Sequence, residues 1–145
     1  YRVDQPHSPH EGISAGTGEG LMSSTQRHHE RFSRRFRLRH KREFQAVYGA
    51  RHRRESGPLL VYALQNDLGH PRLGLSVSRK TGGAVRRVRM KRRLRESFRR
   101  LKNEFAEGFD YIVVVRPHDD SGDQGYERHM RSAMKRLIED WGRSR

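Results

Sequence analysis

Cysteine is absent from the 145-residue sequence, so neither a disulfide framework nor a thiolate metal site can form. No apolar run approaches the ~18 residues that a membrane span requires. The N-terminus carries no apolar stretch of the secretory kind, and the cytoplasm is the expected compartment. The first residue is Tyr1 rather than Met, as expected of a sequence that lacks its true start. Apolar residues make up only 32% of the chain, and nearly all those able to build a core lie after residue 36. Acidic residues are scarce as well: 17 Asp+Glu stand against 32 Lys+Arg, a formal charge of +15. A field of that sign and size selects polyanionic partners: nucleic acid, an anionic membrane surface or an acidic protein.

The first 30 residues are rich in Gly, Ser, His and Pro and show no periodicity. Such a segment buries too little apolar surface to offset its ordering entropy and is predicted to be disordered. Its His7, His10, His28 and His29 are conceivable metal ligands. Without cysteine or fixed spacing they are a weak set, and no metal site is predicted. Residues 31–145 are predicted to form one domain.

Within that domain, Phe44, Val47 and Tyr48 follow the i, i+3, i+4 spacing of a short helix, with Gly49 as its expected stop. These residues either pack on a sheet or leave rings exposed for base stacking. Leu59–Leu64 and Leu73–Ser78 read as strands, and the turn chemistry between them suggests a hairpin. In the second, Leu73, Leu75 and Val77 are expected to point inward. The unbroken apolar run in Asp110–Arg116 reads as a strand buried on both faces. Tyr126, Met130, Ala133, Met134, Leu137, Ile138 and Trp141 repeat at helical spacing, so a final core-covering helix is expected. This mixture is an α+β arrangement, a small two-layer α/β sandwich.

The most informative segment is a helix predicted from Ala84 to Phe105. Between Arg86 and Lys102 it holds ten basic residues and one acid, Glu96. At 100° per residue, Met90, Phe98, Leu101 and Phe105 fall within about 40° of Leu94. Arg89, Arg92, Arg93, Arg99 and Arg100 fall on the far side, and Val88 lies among the arginines. Solvated helices usually mix Glu with Lys at i, i+4. Here like charges crowd together, and a polyanion is the simplest explanation. Arginine's planar fork suits phosphate contact and base stacking. Gly82-Gly83 would let backbone N–H groups at the helix start approach a phosphate. Asn and Gln are missing from residues 85–102, which argues against base reading in a DNA groove. The apolar stripe is needed for the core, which argues against a membrane-surface helix.

The run Arg72-Leu73-Gly74-Leu75-Ser76-Val77-Ser78-Arg79-Lys80-Thr81-Gly82-Gly83-Ala84-Val85-Arg86-Arg87-Val88-Arg89-Met90-Lys91-Arg92-Arg93-Leu94-Arg95-Glu96 resembles the signature of the bacterial ribonuclease P protein component. Arg37-Leu38, Glu43-Phe44 and Val47-Tyr48 resemble the family's opening segment, and Asp110–Arg116 its last strand. The likeness covers about residues 36–140. Two positions depart from the pattern: the family's Arg-Asn-Arg reads Arg87-Val88-Arg89, and its Gly-Asn-Ala reads Gly82-Gly83-Ala84. Valine cannot supply the hydrogen bonds of asparagine.

The resemblance implies a four-stranded sheet with three helices and a left-handed βαβ crossover through the basic helix. Its first strand would lie near Arg51–Glu55. It also implies a cleft between the sheet and the first helix for the 5′ leader of precursor tRNA, with Phe44, Tyr48, Ser76, Ser78 and Lys80 as contacts. The catalytic RNA subunit would be held by Arg86, Arg87, Arg89, Lys91, Arg92, Arg93 and Arg95. Catalysis would belong to that RNA and its Mg²⁺ ions, with no cofactor on the protein. The residues themselves offer no persuasive catalytic set. Asp119, Asp120 and Asp123 read as a solvated turn, and His118 stands alone beside them. A ribosomal or RNA-chaperone protein shares the composition and is the alternative.

Overall fold

A computed structural model describes residues 33–105, 108–119 and 125–143. The histidine-bearing N-terminal segment, Asp120 and Asp123 lie outside the described residues. Among the described residues, three helices, α1 (Lys41–Ala50), α2 (Ala84–Leu101) and α3 (Tyr126–Arg143), pack on a mixed sheet of four strands. The strands are β1 (Arg53–Ser56), β2 (Leu59–Gln65), β3 (Arg72–Val77) and β4 (Phe109–Val115), in the order β1-β2-β4-β3. The fold is α+β, as expected.

Pairing corrects one expectation. β2 and β3 do not form a hairpin, because β4 lies between them, antiparallel to β2 and parallel to β3. The physical reason is burial. Every residue of β4 is buried, so it needs a sheet neighbour on each side and a packed layer on each face. The hairpin is instead β1–β2, joined by Gly57-Pro58 with Gly57 at φ 56°. Residues 66–71 then arch over the start of β4. Asn66 holds that arch: its amide N–H donates to the Gly108 carbonyl at 2.7 Å. Its side chain donates to Asp110 at 2.7 Å and accepts from the Leu68 N–H at 2.9 Å.

Alternation along the strands gives the sheet two apolar faces. Leu59, Val61, Ala63, Leu73, Leu75, Val77, Tyr111, Val113 and Val115 meet α2 and α3. The expected stripe of α2 (Met90, Leu94, Phe98, Leu101) is buried there, with Phe105 just past the helix end. Tyr126, Met130, Ala133, Met134 and Leu137 of α3 complete this layer. The other face, with Leu60, Ile112 and Val114, is covered by Leu38 and by Phe44 and Val47 of α1.

Helix α1 begins where Glu43 accepts the N–H groups of Arg39 and His40, at 2.8 and 3.0 Å. It does not stop at Gly49. The chain reverses two residues later, at Arg51 (φ 60°), immediately before β1 must pair with β2. Gly49 has no atom near its missing side chain, so no close approach requires glycine there.

Candidate nucleic-acid interface

The start of α2 is set by a short 3-10 turn, Arg79–Thr81, in which the Thr81 hydroxyl donates to the Ser78 carbonyl at 2.6 Å. Gly82 follows at φ 144°, and a Cβ there would sit 2.5 Å from Cδ of Arg86. Glycine is therefore required twice, by the dihedral and by the packing. Gly83 is the N-cap residue, and its surroundings are open. Arg87 donates to the Gly82 carbonyl at 3.2 Å, and Arg86 to the carbonyl of His118. His118 is itself fixed: Nδ1 donates to the Arg116 carbonyl at 2.7 Å, and Nε2 pairs with the Tyr126 hydroxyl at 2.8 Å. These bonds clamp the first turn of α2 to the segment after β4 and to α3. The parallel pairing of β3 with β4 brings both segments to one end of the sheet.

The predicted RNA contacts on α2 divide by exposure. Arg89, Arg92 and Arg93 are exposed, while Arg86, Arg87, Lys91 and Arg95 are half-buried. Arg86, with its bond to the His118 carbonyl, thus has a structural task. Toward the C-terminal end the charges are interlaced with acids. Glu96 pairs with Arg99 and Arg100, Glu127 with Arg100 and Arg131, and Glu104 with Arg131. The Arg99 guanidinium holds the Glu96 carboxyl below its ordinary pKa, outweighing partial desolvation. Glu127 and Arg131 of α3 reach this region only through tertiary packing, so the helix sequence alone did not reveal these pairs.

On the opposite face of the sheet, two predicted leader contacts need correction. Phe44 is 1% exposed, with its ring laid over Gly74, and it offers no face to a base. Ser76, in the centre of β3, is fully buried. Packing took both residues because the sheet buries its two faces there. Tyr48 is half-buried and meets Tyr62 edge to face, with centroids 4.9 Å apart. Ser78 is half-buried, and Lys80 is exposed. Tyr62 was missed in the sequence, as was Arg53, its cross-strand partner on the same face. Alternation along Leu59–Gln65 carried the signal, but pairing was needed to assign the face. Glu55, two residues on from Arg53, pairs with Arg116 at 2.8 Å.

A charged network that sequence reasoning missed anchors α1. Arg72 binds both carboxylate oxygens of Asp110, each at 2.8 Å, and reaches Glu43 at 2.9 Å. The hydrogen bonds to Asp110 raise the pKa of Arg72 against the opposing effect of burial. Burial pushes Glu43 up, but the Arg39 and His40 N–H groups and Arg72 outweigh it and leave the carboxyl below its ordinary range. Glu43 thus caps α1 and ties it to the sheet at once. Among the described residues, no three His, Asp or Glu come together in a metal-holding group, and no helix is long and apolar enough to cross a membrane.

A four-stranded mixed sheet whose β3–β4 crossover is a helix with a buried stripe and a cationic outer surface defines a class: small basic α+β proteins shaped for a polyanion. Within that class, the chain belongs to the ribonuclease P protein family, whose profile, described as Ribonuclease P, matches residues 32–138. It is 44% identical over 81 residues to the ribonuclease P protein component of an Exiguobacterium species, covering 56% of this chain and 70% of that one. With the counterpart from a Thermotoga species it shares 40% identity over 87 residues, covering 60% and 74%. The RNase P protein of Staphylococcus aureus superposes with a TM-score of 0.61 at 29% identity, over 69% of this chain and 93% of that one. Members of this family are the protein component of an endoribonuclease involved in tRNA processing.

Proposed function

We propose that this chain assembles with the catalytic RNA of ribonuclease P and binds the 5′ leader of precursor tRNA, promoting cleavage that leaves a 5′-phosphate on the mature tRNA. The observation that carries the reading is the division of α2. Met90, Leu94, Phe98 and Leu101 hold it to the sheet, while Arg89, Arg92 and Arg93 stay exposed. Phosphate contacts from such a face supply affinity and register without reading sequence. The second surface, at Tyr48, Ser78 and Lys80, is our leader site, and Tyr62 and Arg53 join it by register. Phe44 supports that surface from below. In this reading the RNA partner carries the metal-assisted attack of water.

The test is reconstitution with a bacterial ribonuclease P RNA and a precursor tRNA at low Mg²⁺. The expected result is protein-dependent cleavage at the mature 5′ end. Binding without any stimulation would favour a ribosomal or RNA-chaperone role. Arg89→Ala is expected to weaken assembly with the catalytic RNA by about tenfold, on the order of 1.4 kcal/mol. Tyr48→Ala is expected to weaken leader-bearing precursor more than mature tRNA. Equal losses on both substrates would refute the two-surface assignment.

A further inference from the structure

Among the described residues, three large apolar side chains stand well exposed: Leu68 (50%), Val85 (75%) and Val88 (45%). Leu68 sits in the turn after β2. The other two lie three residues apart on the first turns of α2, so they are neighbours on its surface. Val85, Val88, Arg89 and Arg92 follow the i, i+3, i+4, i+7 spacing of one stripe, turned away from Met90 and Leu94. The helix therefore has a second apolar strip, short and set among exposed arginines.

Nothing within the fold explains that strip. Valine is a weaker helix former than arginine, lysine or alanine, because branching at Cβ restricts χ1. The strip adds nothing to a core that already has its own four residues on the helix. Two valines are also far smaller than the ~800 Å² per partner of a stable protein interface. The arginines around them attract phosphates and repel a basic partner, a second copy of this chain included. A polyanion that also presents apolar surface at the scale of two side chains is an RNA strand with an unstacked base.

We propose that Val85 and Val88 form an apolar seat for an unpaired nucleobase of the RNA partner, with Arg92 and Arg89 holding the adjoining phosphates. This deepens the proposed function and rests on it. Valine at position 88 then makes a contact of its own kind in place of an amide's hydrogen bonds.

The two parts of the seat respond differently to salt. A phosphate contact contributes about −0.7 to −0.9 to the slope of log affinity against log salt, through counterion release. An apolar contact contributes affinity and leaves the slope alone. The experiment measures binding of the full chain to a bacterial ribonuclease P RNA transcript over a salt series. Val88→Ser and the double change with Val85→Ser are expected to weaken binding about fivefold and more than tenfold at every salt concentration, with the parent's slope. Val88→Leu is expected to retain parental affinity. Arg92→Ala is expected to reduce the slope by about one phosphate contact. Serine and valine have similar helix propensity, so circular dichroism melts of the serine variants are expected to match the parent.

If the parent binds and the double serine variant binds within twofold of it, the seat is refuted while the proposed function stands. A changed slope in the serine variants also refutes it. So does a self-association that the serine changes abolish while RNA affinity holds. If the parent does not bind the RNA at all, both readings fall.

Discussion

Gly74 is where the sequence permits α1 to lie close to the sheet, and Gly74→Ala probes that approach directly. An alanine Cβ would sit 2.7 and 2.8 Å from Cε2 and Cζ of Phe44, and 3.0 Å from Cδ1 of Leu38. Carbon atoms rest at about 3.5–4.0 Å, so the ring would have to retreat by about 0.8 Å. Phe44 and Leu38 are both 1% exposed, and a close-packed interior leaves them little room. Overpacking of this kind costs about 1–3 kcal/mol. Alanine's smaller backbone entropy loss offsets about 0.5–1 kcal/mol of it. The net loss is about 1.5 kcal/mol, or roughly 6–12 °C in Tm for a domain of ~100 residues. Phe44→Leu vacates the space and by itself costs about 1–2 kcal/mol in lost packing. In a double-mutant cycle read by urea titration and far-UV circular dichroism, the double variant is expected to be close to Phe44→Leu alone. Additivity within about 0.5 kcal/mol would refute the steric account.

Arg72→Ala removes the partner of the buried Asp110 carboxylate and the tie to Glu43, and is expected to cost about 3 kcal/mol in denaturant titration. A loss below ~1 kcal/mol would mean that solvent or Asn66 satisfies Asp110 without it. Stability is also expected to fall with acid in two windows. His129 has a depressed pKa in the fold, first from burial and then from Arg128, so the unfolded chain takes up its proton first as pH drops below the ordinary 6.5. Glu43 is depressed as well, so its contribution is complete above the ordinary 4.5 and is lost as pH falls through its folded value. Glu43→Gln is expected to flatten the lower window in stability-against-pH curves. An unchanged acid limb would contradict the assignment. Leu94→Ala, at the centre of the α2 stripe, is expected to cost about 2–5 kcal/mol, whereas Arg92→Ala leaves the melt within about 0.5 kcal/mol.

Periodicity made the two long helices, the buried strand and the core stripe of α2 legible, because a 3.6- or 2-residue repeat is local information. Charge made a polyanion face legible in the same way, and the run from Arg72 to Glu96 carried the family. The short first helix was legible too, but not which use its rings would serve. Phe44 and Tyr48 lie on one helical face, yet the first is sealed over Gly74 and the second meets Tyr62 at the edge of the packed layer. That difference depends on two strands that meet the helix only in the folded chain, β3 beneath Phe44 and β2 beside Tyr48. The Arg100–Glu127 and Arg131–Glu104 salt bridges, and the Arg72–Asp110–Glu43 tie, likewise join distant segments.

The sequence by itself determined that a basic helix with one apolar stripe would bind to a sheet and turn its arginines outward. Periodicity and charge are set residue by residue. Only the tertiary structure decided which cations remain exposed, that β4 and not β3 lies beside β2, and that no neighbouring element covers Val85 and Val88. Pairing partners and burial come from segments that meet only when the chain closes on itself.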